Sequence, residues 1–146
     1  MIGPYPPPYG GIATVVKNLS SQEILLKNFK INIWRTGKYK KNFPNILQVF
    51  IDFYRILLFF VGSEYKYIDV FHIHTASYWS FFRNVAYIII AKYLSNGKII
   101  LHIHGGEFDV FYHKLPDALK NLLGKILSMS EYIFVTSESW INVIGK

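Results

Sequence analysis

Asp69-Val70-Phe71-His72-Ile73-His74 and Lys98-Ile99-Ile100-Leu101-His102-Ile103-His104, with the apolar run Tyr78 to Leu94 between them, decide the fold. Each flanking segment is a short, nearly continuous apolar run, as strands covered on both faces tend to be. The run between them has helical length. Ser77 is placed to cap it and Asn96-Gly97 to end it. Strand, crossover helix and strand predict a βαβ unit and two parallel neighbours.

The pattern recurs on either side. Gly10-Gly11 opens a segment with Ile12, Val15, Val16, Leu19 and Leu26 at helical spacing, which predicts an amphipathic helix to about Asn28. Ile31 to Trp34 predicts a short strand, closed by Thr36-Gly37-Lys38 and a Lys/Tyr loop to Asn42. Pro44 suits the first turn of a helix Asn45 to Val61. That helix is apolar nearly all round, which predicts burial on two sides or contact with something oily. Downstream, Asp117 to Met129 predicts a helix, Tyr132 to Val135 a strand, and Ser137 onward the start of another helix. The expected fold class is α/β, a Rossmann-like doubly wound parallel sheet spanning residues 1–146 as one domain.

Composition bounds the function. At 146 residues, 51% hydrophobic and 17% charged, the chain can bury a core and is too apolar for disorder. Zero Cys excludes a disulfide scaffold, a thiolate zinc site and a Cys nucleophile, and fits a reducing compartment. The net charge of +7 includes one dense basic run, Lys27, Lys30, Arg35, Lys38, Lys40 and Lys41. Phosphorylated ligands or an anionic membrane surface would suit it, as would a plain solvated edge. Nucleic acid is not expected, because no recognised binding module accompanies the run. No signal peptide is expected after Met1. Asp52 and Arg55 interrupt the longest apolar segment, so no spanning helix of roughly 20 apolar residues is expected either.

Four features could carry chemistry. Glycines at a helix start, here Gly10 and Gly11, let the backbone approach an anion such as phosphate; a plain tight turn is the alternative. His72 and His74 share one strand face, as do His102 and His104, at the strand ends where open α/β sheets bind ligands. A four-histidine metal site is one reading of them. No carboxylate completes a known metal spacing, so packed neutral imidazoles are the other reading, and no metal is expected. His72 and His102 are expected to be packed and hydrogen-bonded, and His74 and His104 to face a cleft. His104-Gly105-Gly106-Glu107-Phe108-Asp109 sets an imidazole beside exposed amides, suited to sugar or phosphate contact or to proton transfer. Finally, the greasy helix beside Lys38, Lys40 and Lys41 has the composition of a membrane-surface element.

These residues resemble a known family. Gly3-Pro4-Tyr5-Pro6-Pro7-Pro8-Tyr9-Gly10-Gly11-Ile12 is similar to the opening loop of family-4 glycosyltransferases of the GT-B fold. Asp69 to His74 resembles that family's D-v-v-H-x-H strand, His102-Ile103-His104-Gly105-Gly106 its x-x-H-G strand end, and Val135-Thr136-Ser137 its V-S strand end. The order and spacing match over nearly the whole chain. The resemblance implies transfer of a hexosyl group from a nucleotide-sugar donor to a glycan or lipid-linked acceptor, in polysaccharide or glycolipid synthesis, without a metal. It assigns His104 a catalytic position and Gly10 and Gly11 the donor phosphates. His74, Gly105, Glu107 and Ser137 would line the cleft, and Lys38, Lys40 and Lys41 would face the membrane or acceptor.

The departures are specific too. Only Met1-Ile2 stand where the family's first strand is expected, and residues 1–146 hold no counterpart of its C-terminal nucleotide-sugar domain with the E-x7-E segment. The chain is therefore expected to be a truncated N-terminal, acceptor-side domain without turnover alone, cytoplasmic or peripheral at the inner face of the plasma membrane. A non-catalytic anion- or membrane-surface-binding α/β module is the alternative.

Overall fold

The computed structural model describes residues 1–7, 9–38, 44–105 and 107–141, and of Ser139 only the backbone. Two compact units divide the chain, Met1–Gly62 and Ser63–Lys146. The architecture is α/β: among the described residues five strands form, and their pairings are parallel. This is consistent with a Rossmann-like fold.

In the first unit, β1 (Ile2–Gly3) pairs with β2 (Trp34–Arg35). Between them run α1 (Gly11–Ser20) and α2 (Glu23–Asn28). One helix to Asn28 was expected; there are two. Ser20 Oγ donates to the Lys17 carbonyl at 2.9 Å, and Ser21 and Gln22 close the turn onto Lys17, Asn18 and Leu19. Hydroxyl side chains that bond the preceding turn compete with helix propagation, which explains the break. Ala13 and Val16 are buried, whereas α2 buries nothing and leaves Ile24 and Leu26 exposed.

Helix α3 (Asn45–Gly62) follows, close to its expected span. Its orientation is inverted relative to an ordinary amphipathic helix. Gln48, Asp52, Arg55 and Phe59 are buried, while Ile46, Leu47, Phe50, Phe53, Tyr54, Leu57 and Phe60 are exposed. The buried polar stripe is tied to itself and to one turn. Gln48 Nε2 donates to Asp52 Oδ1 at 2.9 Å, and Gln48 Nε2 and Arg55 Nη1 both reach the Gly37 carbonyl, at 3.2 and 3.0 Å. Phe59 completes the stripe with its ring 5.0 Å from that of Trp34. Buried polar groups need such partners, and the Gly37 carbonyl and Asp52 supply them to the donors, while Gln48 Oε1 is buried without one among the described residues. With 18 residues and a mean hydropathy of 1.5, α3 is long and apolar enough to cross a membrane by length and composition, and only 22% of it is buried.

The second unit opens with a 3-10 turn (Glu64–Tyr67) and contains β3 (Val70–Thr75), α4 (Trp79–Leu94), β4 (Lys98–Ile103), α5 (Phe108–Lys114), α6 (Asp117–Leu127) and β5 (Tyr132–Val135). β4 lies between β3 and β5. Phe71, Ile73, Ile99, Leu101 and Ile103 form one sheet face, fully buried together with Phe81, Tyr87, Ile88, Phe108 and Phe111. Helix α5 was not anticipated from the sequence; Phe108 and Phe111 anchor it, their rings 5.7 Å apart and Phe108 5.9 Å from Phe81. A further 3-10 turn, Glu138–Trp140, stands where a helix was expected to begin.

Two local expectations change. Ser77 does not cap α4: Tyr78 holds the cap position without a side-chain bond, and the Ala76 N–H donates to Ser80 Oγ at 3.3 Å. Gly97 serves packing rather than a left-handed turn. A Cβ there would stand 2.3 Å from the Ile68 carbonyl oxygen and 2.6 Å from the Phe71 ring.

Candidate functional site

The opposite face of β3 and β4 carries the histidines. The register sets His74 beside His102, and the alternation of side chains puts His72 and His104 on the same face. All four imidazoles touch. Ring centroids are 4.2 Å apart for His72 and His74, 5.1 Å for His74 and His102, and 4.0 Å for His102 and His104. His72 and His102 stack at 5.7 Å with rings 5° from parallel. Phe134 of β5 packs edge-on against His72 and His102, closing one side.

The cluster is held from below by backbone. The His104 N–H donates to the Thr75 carbonyl at 2.8 Å, and Asn84 Nδ2 of α4 donates to the His74 carbonyl at 2.9 Å. His74 Nδ1 and His104 Nε2 lie 3.0 Å apart, a buried imidazole–imidazole hydrogen bond. His74 is 0% exposed and His104 6%. The expectation that these two face a cleft is therefore corrected: each spends its reach on the other ring, and the half-buried pair is His72 and His102. Nor are those two hydrogen-bonded throughout. His72 Nε2, His74 Nε2 and His102 Nδ1 are buried with no hydrogen-bond partner among the described residues.

Burial dominates the electrostatics. It lowers the His72 pKa from 6.5 to about 4, helped by the neighbouring imidazoles of His102 and His104. His74 falls to about 2 through burial and then its three histidine neighbours, and His104 to about 4 through burial and His102. Burial also lowers His102. A second positive charge in so small a volume is prohibitive, so the cluster is neutral at pH 7.

The C-terminal edge of this unit collects the other expected residues. Gly105 follows His104 with φ at +102°, a conformation that favours glycine. Glu107 is exposed at the start of α5, and Ser137 is exposed two residues beyond β5. Parallel pairing of β4 and β5 puts the turns after both strands at one edge, so His104, Gly105, Glu107 and Ser137 share it. Tyr78, beyond β3 at the same edge, holds φ at +58°, with its ring edge-on to Phe111 at 5.2 Å. Such a backbone costs roughly 1–3 kcal/mol in a non-glycine residue and tends to occur where function over-determines the chain.

Gly10 and Gly11 lie in the first unit, at the start of α1. Gly10 is extended (φ −165°), and a Cβ on either glycine would meet nothing within 4 Å. Neither conformation nor packing within the structure requires glycine there. Lys38 is exposed beyond β2, while Lys40, Lys41 and Gly106 lie outside the described residues.

Sequence reasoning missed Asn84 and Ser80, which tie α4 to the end of β3. The signal was present: Arg83-Asn84 is a buried polar pair inside an apolar run. A wide concavity of about 710 Å³, lined by Lys66, Tyr67, Asp69 and Lys98 among others, lies at the opposite strand ends, away from the histidines. Comparisons with protein-family models, curated proteins and solved structures give no match to this chain.

Proposed function

We propose that this chain is the acceptor-side domain of a glycosyltransferase working on an acceptor presented at an anionic membrane surface. The observation that carries the proposal is the turn after β4. A neutral imidazole, His104, is fixed by His74 at the C-terminal edge of parallel strands, and an exposed glycine at φ +102° follows it. Ligands of open α/β sheets bind at that edge. The groups exposed to a sugar there are the Gly105 backbone and the Glu107 and Ser137 side chains, with the buried His104–His74 pair fixing the turn that carries Gly105 and Glu107. The glycines of α1 would let a donor diphosphate approach the helix N-terminus.

Helix α3 supports the membrane half of the proposal. Large apolar side chains cover its outer surface, and Lys38 stands shortly before it in a chain of net charge +7. Apolar contact plus attraction to anionic lipid is the energetics of interfacial binding. A cytoplasmic-face location follows, with a nucleotide sugar as co-substrate and no nucleic acid.

The test is an NMR titration of the ¹⁵N-labelled chain with short-chain polyprenyl-linked saccharides and, separately, with nucleotide sugars. Saturable shifts at the Gly105, Glu107 and Ser137 amides with a saccharide acceptor are expected. A panel that moves none of these amides overturns the glycosyltransferase reading. The exposed face of α3 also favours a second reading, a non-catalytic membrane-surface module. Binding to anionic vesicles with no response to any saccharide would select it.

A further inference from the structure

We propose that His72, His74 and His102 form a binding site for one divalent transition-metal ion, with His104 orienting His74 from behind. Each of the three offers a ring nitrogen, and these nitrogens all lie within 4.8 Å of one another. A tetrahedral site with metal–nitrogen bonds of about 2.1 Å needs ligand separations near 3.4 Å, within reach of small ring rotations. Each of the same three rings also holds a buried nitrogen without a hydrogen-bond partner among the described residues. Leaving such a group unpaired costs roughly 1–3 kcal/mol, and three of them on adjoining rings are unusual in a native core.

The pairing of His74 with His104 resembles the second shell of metal-bound imidazoles. If Nδ1 of His74 carries its proton and donates to His104 Nε2, then Nε2 of His74, buried without a partner among the described residues, is left with a free lone pair. That tautomer is the one a metal needs. An all-imidazole donor set selects Zn²⁺, Co²⁺, Ni²⁺ or Cu²⁺ over Mg²⁺ and Ca²⁺, which require oxygen. His72 and His102 are half-buried, which leaves a side through which an ion and a fourth, exogenous donor can enter.

The experiment uses the untagged full chain, stripped with chelator and titrated with Co²⁺ and then Zn²⁺. Expected are a visible absorption of tetrahedral Co²⁺ saturating at one ion per chain, its bleaching by Zn²⁺, and a metal-dependent rise in Tm. H72Q and H102Q replace half-buried residues, and each should weaken binding at least tenfold with the circular dichroism spectrum retained. H104Q should weaken it about 10–100-fold, as loss of an orienting partner does. H113Q, which alters the histidine outside the cluster, should change nothing. A cluster filled by water alone gives no cobalt band and no thermal shift, which overturns the proposal. Binding untouched by H72Q and H102Q overturns it equally. Neither outcome bears on saccharide binding at the strand edge.

Discussion

His74 Nδ1 and His104 Nε2 stand 3.0 Å apart on adjacent parallel strands, with His74 fully buried. This bond joins a residue inside β3 to the first residue past β4, so it fixes the strand edge on which Gly105 and Glu107 are carried. Replacing His104 by Phe strands the His74 nitrogen without a partner and should cost about 1–3 kcal/mol in urea unfolding. Phe at both positions should cost less than the sum of the single changes, because the second substitution removes an already unpaired group. Additive losses would show that the two rings are energetically independent.

Acid should destabilise the metal-free protein early. His74 and His104 titrate near 2 and 4 in the folded chain and near 6.5 when unfolded. Below 6.5 the unfolded state takes up protons that the folded state refuses, so stability is full above that pH and falls as pH drops. The slope is about 1.4 kcal/mol per pH unit for each histidine that ionises only on unfolding. Urea midpoints measured with chelator at pH 7.5, 6.5 and 5.5 should be level over the first step and fall over the second. A midpoint unchanged to pH 5.5 contradicts the burial of the cluster.

Helix α3 should respond to substitution opposite to its hydropathy. Phe50→Glu and Leu57→Glu replace exposed apolar side chains. They should change stability by less than about 0.5 kcal/mol, raise solubility and abolish co-sedimentation with phosphatidylglycerol vesicles. Asp52→Leu makes the helix more apolar, yet it removes the buried acceptor of Gln48 and should cost about 1–3 kcal/mol. Were Asp52→Leu neutral and Phe50→Glu destabilising, α3 would present the other face inward.

The glycines should separate into two classes. Gly97→Ala forces a Cβ to 2.3 Å from the Ile68 carbonyl and should be the most damaging of the set. Gly105→Ala must adopt φ near +102° and should cost about 1–2 kcal/mol. Gly11→Ala meets open space at the first position of α1 and should be neutral or slightly stabilising, by less than about 1 kcal/mol. Thermal melts of the three variants give the order directly.

What could be read from the chain was whatever repeats locally. The strands Val70–Thr75, Lys98–Ile103 and Tyr132–Val135 were legible as short apolar runs, and the span of α3 from Pro44 and the length of its apolar run. Helix α5 was not legible, because its short pattern is anchored by contacts of Phe108 and Phe111 with α4, which spacing does not encode. For the site, sequence placed two histidine pairs at two strand ends. It assigned His74 and His104 outward and left His72 and His102 inside, since period two fixes a shared face but not what covers it.

The sequence by itself pointed to an α/β chain with parallel strands and put His72 with His74 on one face of their strand, and His102 with His104 on one face of theirs, because side-chain alternation is a property of the strand. Only the tertiary structure decided that β3 and β4 pair in the register that sets His74 beside His102. That register, a non-local choice made by packing of the opposite face, turns two separate pairs into one neutral cluster. The same holds for α3: its spacing of Gln48, Asp52 and Arg55 marks a stripe, but the Gly37 carbonyl in a distant turn decides that the polar stripe is the buried one.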